Sequence, residues 1–254
     1  MAELAAVFDA KARAWQDYNT SAAGRLRHDI VLHHLLNNLG DAPLDVLDVG
    51  CGTGEMAADL ASYGHNLTLL DFSPGMLNIA KQRCAGYAVR MVCADATQAV
   101  DQLGPEKFDG VLCHSLLEFA PDPVRLLDKL VRMVRPGGLL SVLVGNRCHA
   151  PLRSTFIQHD FARALSELDE DLHGEDLFGL PRQTFDPDDI TDLLHARGLQ
   201  IVREAGVRVF ADLLPPLAGI PDDLMALELA ASTRLPYRRL ARFMLFIAAK
   251  EESE

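Results

Sequence analysis

Three carboxylates and a glycine loop carry the chemistry visible in this chain. In "LDVLDVGCGTGEM" (residues 44–56) an apolar run stops at Asp48 and gives way to Gly50-Cys51-Gly52-Thr53-Gly54. Glycines after a strand let the backbone turn sharply and approach a ligand with no Cβ between them. The helix beginning near Glu55 aims its free amides and positive dipole end into the same space. Asp71 ends the next apolar run, 19 residues after Gly52, where a carboxylate can accept hydrogen bonds from both hydroxyls of a ribose. Phe72 beside it can lie against an adenine face. Asp95, in "VCADATQ", ends the third run, where its side chain or the Ala96 amide can read an adenine edge. Any one of these acids could be a helix N-cap. Three of them, at successive strand ends, point to a bound nucleoside. The spacing is GxGxG rather than the GxGxxG of dinucleotide folds, which opposes a nicotinamide dehydrogenase.

These residues need strands to hold them at one edge. Strand-length apolar runs lie at 45–50, 66–71, 89–93, 109–114 and 139–146, with helix-period segments between them. That alternation predicts a parallel sheet covered on both faces. Ser73 followed by Pro74 reads as a helix cap, and "RPGG" (135–138) as a stop. Further apolar segments at 199–214 and 242–251, separated by the helical "PDDLMALELAAS", bring the sheet to about seven strands. The expected organisation is one α/β domain, a Rossmann-like αβα sandwich. It comprises N-terminal helices (1–43), a cofactor-binding core (44–146), a helical lid insertion without strands (147–185) and the C-terminal part of the sheet (186–254).

Composition narrows the setting. Net charge is −12, which weighs against general nucleic-acid binding. One basic patch stands out: "RLPYRRLAR" (234–242) holds four arginines and no acid. No apolar run approaches the roughly 18–20 residues of a membrane span, and the first residues carry no secretion signal. Five cysteines without a CxxC pair fit buried thiols in a reducing cytoplasm. No HExxH, metal-ligand cluster or Ser-His-Asp order is present, and His33-His34 fit a partly buried helix better than a metal site.

"LDVGCGTGE", "LDFSPGMLNIAKQR", "CADA" and "LVRMVRPGGLL" together resemble the motif series of class I S-adenosylmethionine-dependent methyltransferases, in order across residues 44–146. The resemblance implies a seven-stranded sheet with an antiparallel last strand and S-adenosyl-L-methionine as methyl donor. It implies Asp48 at the methionine ammonium, Gly50, Cys51 and Gly52 along the methionine, Asp71 at the ribose, and Asp95 and Ala96 at the adenine. "YNTSAAGRLR", "CHSLLEFAPDP", "GVRVFADLL" and "ALELAASTRLPYRRLAR" are similar to the bacterial tRNA 5-carboxymethoxyuridine methyltransferases, which esterify a wobble-uridine carboxylate. From that family Arg27 is implied to bind the cofactor carboxylate, and His114 to line the cofactor site.

A carboxylate acceptor needs no general base but does need a cation to place it, and a guanidinium fork suits it. Arg208, Arg147 and Arg153 are the candidates, lying at the expected ligand edge or in the lid. The family's lysine-rich stretch before the sixth strand is replaced by the acidic "LDEDLHGEDLFGLPRQTFD" (168–186), a poor match for phosphates. Both acceptor classes stay open: a tRNA nucleotide, or a small acidic or natural-product molecule.

Overall fold

Alternation along the strands decides the layers. The computed structural model describes residues 2–98, 103–105, 107–169, 173–175, 181–215 and 217–252. Strands β1 (Asp45–Val49), β2 (Asn66–Asp71), β3 (Val89–Cys93), β4 (Phe108–His114), β5 (Val134–Gly145), β8 (Leu199–Val207) and β9 (Phe243–Lys250) form one sheet, ordered β3-β2-β1-β4-β5-β9-β8. β1 pairs in parallel with β2 and β4, while β9 runs antiparallel between β5 and β8. Val46, Leu69, Leu112 and Leu245 point to one face, which α2 (Ala22–Leu39) and α3 (Glu55–Ser62) cover with Leu26, Ile30, Leu35 and Leu60. Leu47, Leu70, Val111 and Phe246 point to the other, under Leu127 and Leu130 of α5 (Pro123–Met133) and Leu194 of α8 (Pro187–His195). Each such fully buried leucine contributes roughly 2 kcal/mol. The expected αβα sandwich with an antiparallel last strand is the observed fold.

Local signals hold where their chemistry is local. Ser73 Oγ accepts from the Met76 amide at 3.1 Å and Pro74 opens α4 (Pro74–Arg83). Other boundaries differ. β5 begins at Val134 rather than 139, because Val134 already pairs with Phe108. β8 stops at Val207, where Arg208 takes a positive φ of 63°. The expectation of a strand-free insertion is overturned: β6 (His173–Glu175) and β7 (Pro181–Gln183) form a short antiparallel hairpin. Three-residue strands are too short to leave a period in the sequence. The rest of the insertion includes α6 (Ala150–Arg153), a π-helical turn over Ser154–Gln158 and α7 (Phe161–Asp169). Residues 170–172 and 176–180 of its acidic run lie outside the described residues. In the C-terminal part, α9 (Asp222–Ser232) and α10 (Tyr237–Leu240) lie between β8 and β9. No helix among the described residues is long and apolar enough to cross a membrane.

Candidate active site

The glycine loop is tied into β2 by the very carboxylate expected to face a ribose. Asp71 Oδ2 accepts from the Gly52 amide and Oδ1 from the Ser73 amide, each at 2.9 Å. Gly50, Gly52 and Gly54 have φ of 72°, 54° and 78°, a region that other residues enter only with strain. Their surroundings differ. A Cβ at Gly54 would stand 2.8 Å from the Cβ of Ala80, so this glycine is required by packing against α4. A Cβ at Gly52 would meet no protein atom. Below the loop, Glu55 accepts from Thr53 Oγ1 at 2.7 Å and pairs with Arg83 at 2.7 Å.

An open cleft of about 1330 Å³, counting its mouth, lies along this edge. Arg27, Asp48, Gly50, Cys51, Gly52, Asp71, Phe72, Asp95, Ala96 and His114 all line it. The helix that covers the cleft is α1 (Ala2–Thr20), which contributes Phe8, Trp15 and Asn19. Phe8 packs edge-on to Phe72 and Phe119, Asn19 donates to Thr53 Oγ1 at 3.1 Å, and Asp9 accepts from Ser73 Oγ at 3.0 Å. None of these α1 residues is singled out by sequence pattern; the one available signal was Asn19 within "YNTSAAGRLR".

The cleft is rich in carboxylates whose charge is costly. Burial, then Asp71 and Glu55, push Asp48 up to about 7. Burial also raises Asp71, against the pull of its backbone amides. Asp95 Oδ1 accepts from the Thr97 amide at 2.6 Å, but its Oδ2 is buried without a partner among the described residues. These groups suit a ligand bearing a cation and hydrogen-bond donors, such as the ammonium, ribose hydroxyls and amino group of S-adenosylmethionine. Burial, with Arg27 and His28 nearby, depresses His114 to about 3, so it is neutral, its Nε2 2.8 Å from Ser141 Oγ. Burial raises the Cys51 thiol well above its ordinary range, leaving it inert.

Beyond Arg27 the cleft adjoins a second chamber lined by Trp15, Tyr18, Arg27, Ser115, Glu118, Phe119, Arg182, Arg242 and Phe243. Arg27 spans both, donating to Ser115 Oγ at 3.2 Å. Of the expected acceptor arginines only Arg208 comes near. It is buried behind the chamber, donates to the Tyr18 hydroxyl at 3.0 Å and is ion-paired with Asp212. Arg147 lines neither space and stands 3.5 and 3.9 Å from Asp186 and Asp189. Arg153 lines neither either. In the basic patch, Arg238 pairs with Glu204 at 2.8 Å and Arg239 with Asp188 at 2.7 Å, while Arg242 turns inward to the chamber. His34 is a core histidine lowered to about 4, mainly by burial, 3.0 Å from Ser232 Oγ. No cluster of His, Cys, Asp or Glu among the described residues could hold a metal ion.

Residues 47–142 match the family described as "Methyltransferase domain". The chain belongs to the class I S-adenosylmethionine-dependent methyltransferases. Along 240 residues it is 31% identical to the tRNA 5-carboxymethoxyuridine methyltransferase of Escherichia coli K12, covering 91% of this chain and 90% of that one. Among solved structures, magnesium protoporphyrin IX methyltransferase of Synechocystis, with bound S-adenosylhomocysteine, aligns with a TM-score of 0.64 at 17% identity over 98% of this chain and 99% of that one. A Burkholderia thailandensis 1,6-didemethyltoxoflavin N1-methyltransferase aligns with a TM-score of 0.60 at 20% identity over 99% and 88%. At such identities the two structures speak for the fold.

Proposed function

We propose that this enzyme transfers a methyl group from S-adenosyl-L-methionine to a carboxylate oxygen, the acceptor being 5-carboxymethoxyuridine in tRNA, as in its E. coli relative. The observation that carries the donor half is the convergence of ten residues on one cleft. There Asp48 faces the methionine ammonium and Arg27 its carboxylate, while Gly50, Cys51 and Gly52 line the methionine chain. Asp71 takes the ribose hydroxyls, Phe72 lies against the adenine, and His114 closes the wall. Asp95 Oδ2, without a donor among the described residues, matches the adenine amino group, with the Ala96 amide beside it. The sulfonium supplies an activated methyl group and leaves as a neutral thioether. The protein's share is alignment and exclusion of water, for which α1 lays Phe8 and Trp15 over the site. An acceptor carboxylate is ionised at neutral pH and needs no base, so neutral His114 has no proton to take.

A small acidic metabolite is the second reading, favoured by the pairing of Arg238 and Arg239 with acids. Incubation with labelled donor and tRNA lacking the methyl ester separates the two. The first reading expects alkali-labile label in tRNA. Label confined to a small-molecule extract supports the second, and label in neither refutes both.

A further inference from the structure

The second chamber gathers cations from distant parts of the chain: Arg27 from α2, Arg182 from β7 and Arg242 just before β9. Arg208 stands directly behind, through Tyr18. Among the described residues two acids face them: Glu118, which is already engaged, and Asp212, whose Oδ2 has no hydrogen-bond partner there. Glu118 accepts from the Gly145 amide and lies 3.7 Å from Arg182; Asp212 is clamped by Arg208 and reaches Arg242 only at 3.9 Å. Among the described residues, four guanidiniums against two carboxylates leave a surplus of positive charge. The side chains of Arg182, Arg208 and Arg242 are only 15%, 7% and 16% exposed. Each keeps a buried Nε–H without a hydrogen-bond partner among the described residues. Burial lowers Arg242, and Arg208 and Arg182 push the same way, with Asp212 the main opposition. Buried charge left unpaired is costly, and a guanidinium fork is satisfied best by a carboxylate.

The chamber is also deliberately held. Arg208 keeps its left-handed backbone because the next three amides, of Val209, Phe210 and Ala211, donate to the buried Glu228 at 2.6, 2.9 and 2.7 Å. Strain maintained in this way concentrates at functional sites. The walls are aromatic: Arg27 lies 5.8 and 5.6 Å from the ring centres of Tyr18 and Phe243, and Arg242 5.5 Å from Phe243.

We propose that Arg242 and Arg182, backed by Arg208 and Tyr18, hold the anionic group of the methyl acceptor, so that this enzyme selects carboxylates over neutral nucleophiles. The assignment rests on the methyltransferase reading and adds residues that the sequence leaves unassigned. It makes Arg242 and Arg182 specificity residues, with Arg27 at the junction with the donor.

Calorimetry on the protein saturated with S-adenosylhomocysteine tests it, with free 5-carboxymethoxyuridine and its carboxamide as probes. The acid is expected to bind at least tenfold more tightly than the amide. Arg242→Gln and Arg182→Gln are each expected to weaken the acid at least tenfold while S-adenosylhomocysteine affinity stays within twofold. The latter also certifies that each variant is folded, and the acid–amide comparison stands on the wild type alone. Equal binding of acid and amide, no binding of the acid, or variants that hold it as the wild type does would overturn the subsite. Failure of the wild type to bind S-adenosylhomocysteine would instead overturn the donor reading beneath it.

Discussion

Asp48 carries its charge at a cost, and that cost is measurable as a pH dependence. With its carboxyl pushed up to about 7, its contribution to stability is full below its unfolded value of 3.8 and is lost as pH rises through 7. A bound ammonium reverses the preference, because it stabilises the ionised form. Affinity for S-adenosylhomocysteine is therefore expected to be level above pH 7 and to fall by up to about tenfold per pH unit below it. Calorimetry at pH 6 in two buffers of unlike ionisation heat is expected to register proton release on binding; none would remove Asp48 from the ammonium's partners. Asp71→Ala is expected to weaken binding by about 2 kcal/mol and to lower Tm as well, since the Gly52 and Ser73 amides lose their acceptor. These acids are legible in the sequence because each ends an apolar run, so its place in the sheet follows from its place in the chain. Arg182 and Arg242 are not. An arginine in "RLPYRRLAR" reads alike whether it meets Glu204, as Arg238 does, or a chamber, as Arg242 does.

Two glycines of one loop separate binding from folding at the scale of elements. Both Gly52 and Gly54 have positive φ, so alanine at either costs about 1–2 kcal/mol of backbone strain. Gly54→Ala adds the collision with Ala80, roughly 1–3 kcal/mol more. Gly54→Ala is thus expected to be the less stable protein in urea unfolding. Gly52→Ala, whose methyl meets only the cleft, is expected to lose more affinity for S-adenosylhomocysteine in calorimetry. The reverse order would mean that Gly52 does not border the ligand. The loop is legible as a ligand turn because three glycines in five residues have few other uses. The helix above it is not: α1 is anchored by Asp9 to Ser73 and by Asn19 to Thr53, contacts that exist only after docking. The β6–β7 hairpin is equally silent in the sequence, being too short for alternation to register.

At the scale of the whole molecule, charge decides how a polyanion can be received. The chain carries −12, and Arg147, Arg197, Arg238 and Arg239 each lie within 4 Å of a carboxylate. A tRNA that uses these arginines must compete with carboxylates already in place, so these four are poorly placed to neutralise its phosphates. Binding that neutralises about two phosphates weakens roughly tenfold between 50 and 200 mM salt, whereas about six would weaken it a thousandfold. On the proposed tRNA reading, the apparent KM for tRNA is accordingly expected to rise by about tenfold over that range. The affinity of a small carboxylate for the arginine chamber is expected to change less, because partly buried charges are screened less than exposed ones. Measuring both in the same salt series compares outer surface with inner site. A thousandfold rise for tRNA would mean that the surface arginines exchange their carboxylates for phosphates, and the paired state of Arg238 and Arg239 would then belong only to the unbound protein. A rise of about tenfold, matched by the small acid's weak dependence, would mean that recognition rests on the arginines inside rather than on those outside.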